Sequence, residues 1–432
     1  MPQPPIPQFD DKHRRLLEDC LRREAGSAVS IPRDDVDLVE AGILDSMGWV
    51  SFLRAVETAC GAADLGSHLN ERSASFAVLL SAMRDFSSIP AAPARSELLH
   101  DFAPRPNRVV IAASSSAFGS RVIPSEEVDR VFGMPAGKLR SRAGIESLAY
   151  VAKGENELTL AAAAAEEALR TASCGAQELD WIVATSETHH DYPSLSAQLH
   201  SRLLVRETCG ALDVGGACLG LLNALAVAQS LIGSGQAHTI MVVTADVHSR
   251  TLTPGRVAGE FGGLFGDGAS AFLLHGANDA GSKEGYLLGE FIFGCAGQYA
   301  AAIQVSDEKD GSLGVQFDGE ALSRAAITRM EKVITAVELR SGIPRGSVGG
   351  FATHQPNPRL VALLAKQCGV SPKTFPAIAK RSGNLGSSTC GAALHEALRN
   401  AAKQARQDRR PIFLASLGPG LLFGGGWLTP HD

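Results

Sequence analysis

Nowhere in the 432-residue chain does an apolar run reach the ~18 residues that a bilayer-crossing helix needs, which excludes a helical membrane protein. Positive charge is not in excess either. Forty Lys and Arg stand against 46 Asp and Glu, and a formal net charge of −6 argues against a nucleic-acid binder. The opening MPQPPIPQFDD has no basic start followed by an apolar stretch, so no secretory leader is expected and the compartment is expected to be cytoplasmic. Eight Cys are scattered without metal-ligand spacing. Neither a metal site nor a disulfide framework is expected, and reduced thiols are. What remains is the composition of an ordinary globular enzyme, 45% hydrophobic and 20% charged, in a chain too long for one ordinary domain.

Three segments follow from the pattern of residues. Residues 1–88 read as short helices, with Phe9–Glu24 as the first and Ser75–Phe86 as the last. They hold nine basic and fourteen acidic residues through position 90, most of the net negative charge. Residues 89–107 lie in a Pro-, Ala- and Ser-rich stretch expected to be a linker. From 108 onward strands and helices alternate, which argues for a layered α/β fold. This part echoes itself. Trp181–Ala184 and Gly349–Ala352 both read as strands, each with Ala-Thr at its end. DVGGACLGLLNALAVAQ and SGNLGSSTCGAALHEAL both open an apolar helix with small residues. The echo predicts two similar halves, 108–278 and 279–432.

One cysteine stands apart. Cys218 lies between Gly215-Gly216-Ala217 and the helical run Leu219–Ile232. A thiol at a helix start faces unpaired N–H groups and the positive end of the dipole, an arrangement that predicts a stabilised thiolate. The same N–H groups can hold the oxyanion of an attacked thioester. The other seven Cys, Cys390 included, read as structural.

The segment DVGGACLGLLNAL resembles the nucleophile segment of the ketoacyl synthase III branch of the thiolase superfamily. MVVTADVHSRTLTP (241–254), FGDGASAFLL (265–274), THQPNPRL (353–360) and GNLGSST (383–389) resemble further motifs of that family, in the same order. The resemblance covers 108–432. It implies a duplicated, thiolase-like, five-layered αβαβα fold and a homodimer. It implies that Cys218 carries an acyl group and that His354 and Asn384 stabilise an enolate with neutral donors. The oxyanion hole is expected from the N–H of Cys218 and from Gly418 or Gly420, since Pro419 between them has no N–H. Arg250 matches a position that holds the nucleotide of coenzyme A, and Arg359 one that docks acyl carrier proteins. Two positions depart: Lys138 stands where the family has Trp, and Leu148 where it has Arg. Lys cannot stack on adenine, so the donor is either coenzyme A or a carrier-bound thioester. Asp267 reads as a turn residue, and His189-His190-Asp191 as a loop at the substrate entrance or a dimer contact.

Residues 37–60, DLVEAGILDSMGWVSFLRAVETAC, resemble an acyl carrier domain, a small all-α helix bundle. The resemblance places 4′-phosphopantetheine on Ser46, attached by a phosphopantetheinyl transferase. Asp-Ser before a helix is also an ordinary cap. A flexible linker of this length would span roughly 25 Å.

Three functions fit. One is a condensing enzyme that joins the Cys218 acyl group to a malonyl-type carrier thioester with loss of carbon dioxide, in polyketide or lipid biosynthesis. Another is an acyltransferase that passes the group to an amine, alcohol or carrier thiol, with His354 as base. The third is a non-catalytic carrier or docking protein.

Overall fold

A computed structural model describes residues 11–61, 65, 74–86, 108–277, 284–307, 313–317 and 319–431. The expected linker at 89–107 and the start of the first predicted helix, at Phe9, lie outside them. The described residues fall into two compact units, one within 1–95 together with 318–328, the other within 96–317 together with 329–432.

In the first unit, α1 (Asp11–Ala25), α2 (Ser46–Cys60) and α3 (Phe76–Phe86) form a small bundle. Apolar residues of α2 at positions 49, 52, 53 and 56 recur at helical spacing and are buried against Leu17, Leu21, Phe76 and Leu79. Trp49, Phe52 and Phe76 form a ring column with centroids 5.6 and 6.1 Å apart. Asp37 ties the loop down, since its carboxylate accepts from the N–H groups of Val39, Glu40 and Ala74. Asp45 caps α2 by accepting from Gly48 N at 2.7 Å, which leaves Ser46 as the first helical residue.

The second unit begins with β1 (Val109–Phe118), then β2 (Arg121–Pro124), α4 (Ser125–Val131) and β3 (Ser147–Tyr150). There follow α5 (Glu157–Ala172), β4 (Trp181–Thr185), α6 (Leu195–Arg202), β5 (Gly210–Asp213), α7 (Gly220–Gly233), β6 (Thr239–Val247), α8 (Gly259–Gly262) and β7 (Asp267–Gly276). The later part has β8 (Gly285–Leu288), β9 (Ile292–Cys295), the hairpin β10 (Ile303–Asp307) and β11 (Leu313–Phe317), and α9 (Gly319–Ser341), which belongs to this unit from Arg329 onward. It closes with β12 (Gly350–Thr353), α10 (Pro358–Gln367), α11 (Ala379–Ser382), α12 (Ser387–Ala402), β13 (Ile412–Gly418) and β14 (Leu422–His431).

The strands lie in the order β12-β13-β14-β8-β1-β7-β6-β4-β5. Within the first half β4 runs parallel to β5 and β6, and β7 closes antiparallel. Within the second, β12 is parallel to β13 and β14 is antiparallel. The halves meet where β1 pairs β8, Ile111 against Tyr286. The duplicated, thiolase-like α/β architecture expected from sequence is therefore present. All nine positions of β6 are buried because helices cover both faces of the sheet. One face packs on α5 and α6, through Ala161, Ala165, Leu169 and Leu199. The other packs on α7 and α12, through Leu221, Leu225, Ala393 and Leu394, which form the middle layer. Val333 and Val337 of α9 cover β14 from outside, where a Cβ on Gly425 would lie 2.4 Å from Val333. The strand ends of both halves converge above the starts of α7 and α12, and there the candidate residues lie.

Candidate active site

Cys218 sits in a single helical turn, Ala217–Leu219, ahead of α7. Gly216 has φ +136° and Ala217 φ +47°, a tight reversal in the left-handed region that swings the chain from β5 into α7. Gly220 is required by close approach, since a Cβ there would fall 2.2 Å from Thr185 Oγ1 of β4. The second half reaches the nucleophile directly: Ser416 Oγ of β13 donates to the carbonyl of Cys218 at 2.7 Å. Gly418 lies just beyond, where an added Cβ would stand 2.9 Å from Gly216 O and 3.6 Å from Cys218 N. Gly420, at φ +82°, has open space around its Cβ direction. Gly418 is thus brought against the Cys218 backbone.

His354 follows β12, and its backbone N–H donates to Ala415 O at 3.0 Å, one residue from Ser416. It is buried. Burial holds its pKa down at about 4, against the opposing pull of the Glu187 carboxylate and the Gly386 backbone. It is therefore neutral at physiological pH and keeps one N–H to donate. Asn384 is fastened to the loop before β7, donating to Leu264 O and accepting from Gly266 N, both at 2.8 Å. Its side-chain oxygen accepts from Gly386 N at 3.0 Å and Thr389 Oγ1 at 3.1 Å. Those two donors fix which end is oxygen and leave the amide nitrogen as the donor end. His354 and Asn384 thus meet around Gly386, and His354 is tied through β13 to Cys218.

Two further groups in this cluster went unremarked in the sequence. Glu187, just past β4, and His248, just past β6, line a cavity of about 480 Å³ with Cys218, Thr188, Arg256, Phe261 and Phe265. His248 Nε2 lies 3.6 Å from Glu187 Oε2. Burial disfavours the charge on His248, but the Glu187 carboxylate, with Asp246 and Asp267 behind it, raises its pKa to about 9. Burial also opposes the Glu187 charge, and His248 overcomes it, so that the carboxyl lies below its ordinary value. Asp246, the last residue but one of β6, is fully buried. Its carboxylate accepts from Glu187 N at 2.6 Å, Ser387 Oγ at 2.7 Å and both Ser388 N and Oγ at 3.2 Å. Burial and the Glu187 charge raise the Asp246 pKa to about 6.

This arrangement corrects the expectation of a stabilised thiolate. Burial first, then the charge and hydrogen bonding of Glu187 and the charge of Asp246, push the Cys218 thiol well above its ordinary value. The helix start cannot offset two carboxylates in a water-poor pocket.

The remaining predicted positions make other contacts. Arg250 donates to the Glu155 carbonyl, and Lys138 pairs with Glu260. Arg359 stands in the first turn of α10, beside Gly144. Asp267 does more than turn the chain. Its buried carboxylate accepts from Val151 N, Ser249 N and Ser249 Oγ, locking three segments together. His190 lines the cavity, and His189 contacts Pro193 O. No group of three or more His, Cys, Asp or Glu able to hold a metal occurs among the described residues. No helix among them is long and apolar enough to cross a membrane. A larger cavity of about 630 Å³ lies between β1, α5 and α12 and has no cysteine in its wall.

Known proteins give this geometry its context. Residues 212–288 match the family described as 3-oxoacyl-[acyl-carrier-protein (ACP)] synthase III, and residues 340–429 match its C-terminal part. The beta-ketoacyl-[acyl-carrier-protein] synthase III of Haemophilus ducreyi is 28% identical over 323 residues, covering 73% of this chain and 96% of that protein. The Roseobacter denitrificans protein of the same name is 28% identical over 322 residues, covering 73% and 97%. Among solved structures, 3-oxoacyl-[acyl-carrier-protein] synthase III from Aquifex aeolicus superposes with TM-score 0.66 at 26% identity, covering 74% of this chain and 99% of that one. A priming beta-ketosynthase of a polyketide biosynthetic pathway shares the fold, with TM-score 0.66 at 23% identity, covering 77% and 99%.

Proposed function

We propose that this chain, similar to the β-ketoacyl synthase III family over residues 212–288 and 340–429, loads an acyl group on Cys218 and joins it to a malonyl-type carrier thioester with loss of carbon dioxide. In the first half-reaction the sulfur attacks the donor thioester and the donor leaves as a thiol. Gly418 against the Cys218 backbone favours an oxyanion hole formed by their two N–H groups. In the second, the malonyl carboxylate leaves as carbon dioxide, and the enolate oxygen is held by His354 and the amide nitrogen of Asn384. Neutral donors suit that task, because they gain as charge develops and do not pair with the ground-state carboxylate. The enolate carbon attacks the acyl thioester and Cys218 is released.

The single observation that carries this reading is the buried, neutral His354 beside the Gly386 backbone that Asn384 also contacts, with the His354 backbone tied to Ala415, next to the Ser416 that donates to the Cys218 carbonyl. Arg250 and Arg359 are the proposed contacts for coenzyme A or a carrier-bound donor. Ser46, at the start of α2, is the proposed attachment point for 4′-phosphopantetheine, so that the chain carries its own acyl carrier. A homodimer and a role in polyketide or lipid biosynthesis complete the proposal.

Intact-mass spectrometry tests it. The protein is coexpressed with a phosphopantetheinyl transferase, offered acyl and malonyl thioesters, and compared with Cys218→Ala and Ser46→Ala. Acyl mass lost in Cys218→Ala and pantetheine mass lost in Ser46→Ala are expected. With Ser46→Ala as the background, an acyl adduct that persists when Cys218 is also replaced by Ala refutes the assignment. A second reading, acyl transfer to an amine, alcohol or thiol, gains support from Glu187, a carboxylate that decarboxylation does not require. Release of carbon dioxide from the malonyl donor separates the two.

A further inference from the structure

Glu187 and His248 rise from the same edge of the sheet. Their strands β4 and β6 are parallel neighbours, Thr185 paired with Thr244, and each residue lies just beyond its strand's end. The Asp246 carboxylate, through Glu187 N, fixes where the Glu187 backbone stands. His248 Nδ1 lies 3.3 Å from the Gly266 carbonyl, and Nε2 faces Glu187. Both ring nitrogens therefore face acceptors. A ring so placed is satisfied as an imidazolium against a carboxylate, or as a neutral ring against a protonated carboxyl. Either way the pair stores one exchangeable proton.

The other carboxylate oxygen, Glu187 Oε1, is fully buried and has no hydrogen-bond partner among the described residues. Space for it is kept by Gly386, where a Cβ would lie 2.8 Å from that oxygen. The carboxylate shares the cavity wall with Cys218, and its negative charge is among the causes that push the thiol pKa up. A sulfur in this setting does not wait as a thiolate, because two neighbouring carboxylates oppose its charge. It needs a group that removes the proton as the attack proceeds.

The geometry points to the Glu187–His248 pair as the acid–base unit of acylation. The inference rests on Cys218 accepting an acyl group, as proposed above. As the sulfur–carbon bond forms, Glu187 takes the Cys218 proton. As the donor's carbon–sulfur bond breaks, Glu187 returns that proton to the departing thiolate. No net proton is consumed and no further reactant is required. His248 is the positioning residue, holding Glu187 ionised between turnovers. Asp246, Asp267 and His354 are the other titratable groups that face the pair.

The test compares two reactions of one sulfur in Glu187→Gln. Iodoacetamide alkylation needs only the thiolate. Removing the carboxylate charge is expected to speed it about tenfold at neutral pH, one unit of thiol pKa. Acylation by an acyl thioester needs the proton acceptor, and is expected to slow roughly 100-fold. A purely structural role would move both rates the same way or neither, and either result overturns the inference. Should Glu187→Gln fail to fold, His248→Gln decides. Without its cation Glu187 protonates at higher pH, so the acid limb of the acylation profile is expected to move up by about one unit. An unmoved limb overturns the inference. Wild-type protein that acylates Cys218 but releases no carbon dioxide leaves the pair standing and removes the condensation. Wild-type protein that accepts no acyl group removes both.

Discussion

Replacing His248 with Gln should flatten the decline in stability that the wild-type protein shows between pH 6.5 and 9. The His248 pKa is raised from 6.5 to about 9 in the folded protein. A group whose folded pKa is raised contributes stability that is fully present below the unfolded value and is lost as pH rises through the folded one. The gap corresponds to about 3 kcal/mol, at about 1.4 kcal/mol per unit. The group is buried and its partners are Glu187 and the Gly266 carbonyl, so solvent screening takes little from that figure. Asp246, at about 6, makes most of its own change near or below the lower edge of this window. With a urea slope near 3 kcal/mol per molar, the wild-type midpoint should fall by about 1 M more than that of His248→Gln across the window. Tryptophan fluorescence follows the transition, since Trp181 and Trp427 both belong to the larger unit. Equal losses in the two proteins would refute the buried imidazolium and the ion pair with Glu187.

Three other substitutions probe the neighbouring contacts. His354→Ala should keep the acyl mass on Cys218 but lower carbon dioxide release about 10²- to 10³-fold, read by single-turnover assay. Gly386→Ala places a Cβ 2.7 Å from His248 Cε1 on a backbone with φ +59°. It should cost about 2 kcal/mol in urea unfolding, and acylation should slow with it. Asp246→Ala leaves the Ser387 hydroxyl and the Glu187 and Ser388 N–H groups without their shared acceptor, and should cost roughly 3 kcal/mol or more.

Much of the larger unit could be read directly. The apolar runs at 181–185 and 239–247 became β4 and β6, and the small-residue openings before α7 and α12 marked both halves. Helix bounds differed by a residue or two: α3 starts at Phe76 where Ser75 was expected, and α7 runs Gly220–Gly233 where Leu219–Ile232 was expected. Cys218, His354 and Asn384 could be proposed from the sequence because each lies in a short motif of its own. Glu187 and His248 were not, because the significance of each depends on the other, 61 positions away and meeting it only once β4 and β6 pair. The available signal was a titratable residue one or two positions past an apolar strand-like run, which applies to both. The thiolate expectation failed for the same reason. Local chain direction predicted the helix dipole, while the opposing carboxylates arrive from other strands.

Asp246 binds material from both halves of the larger unit, the chain after β4 on one side and the start of α12 on the other. Neither half can be exchanged alone for that of a distant relative unless positions 187, 246, 387 and 388 travel as a set. A chimera that broke the set would bury a lone anion where the Ser186 hydroxyl and the four donors named above now converge, and its two lobes would be expected to separate before the sheet itself came apart.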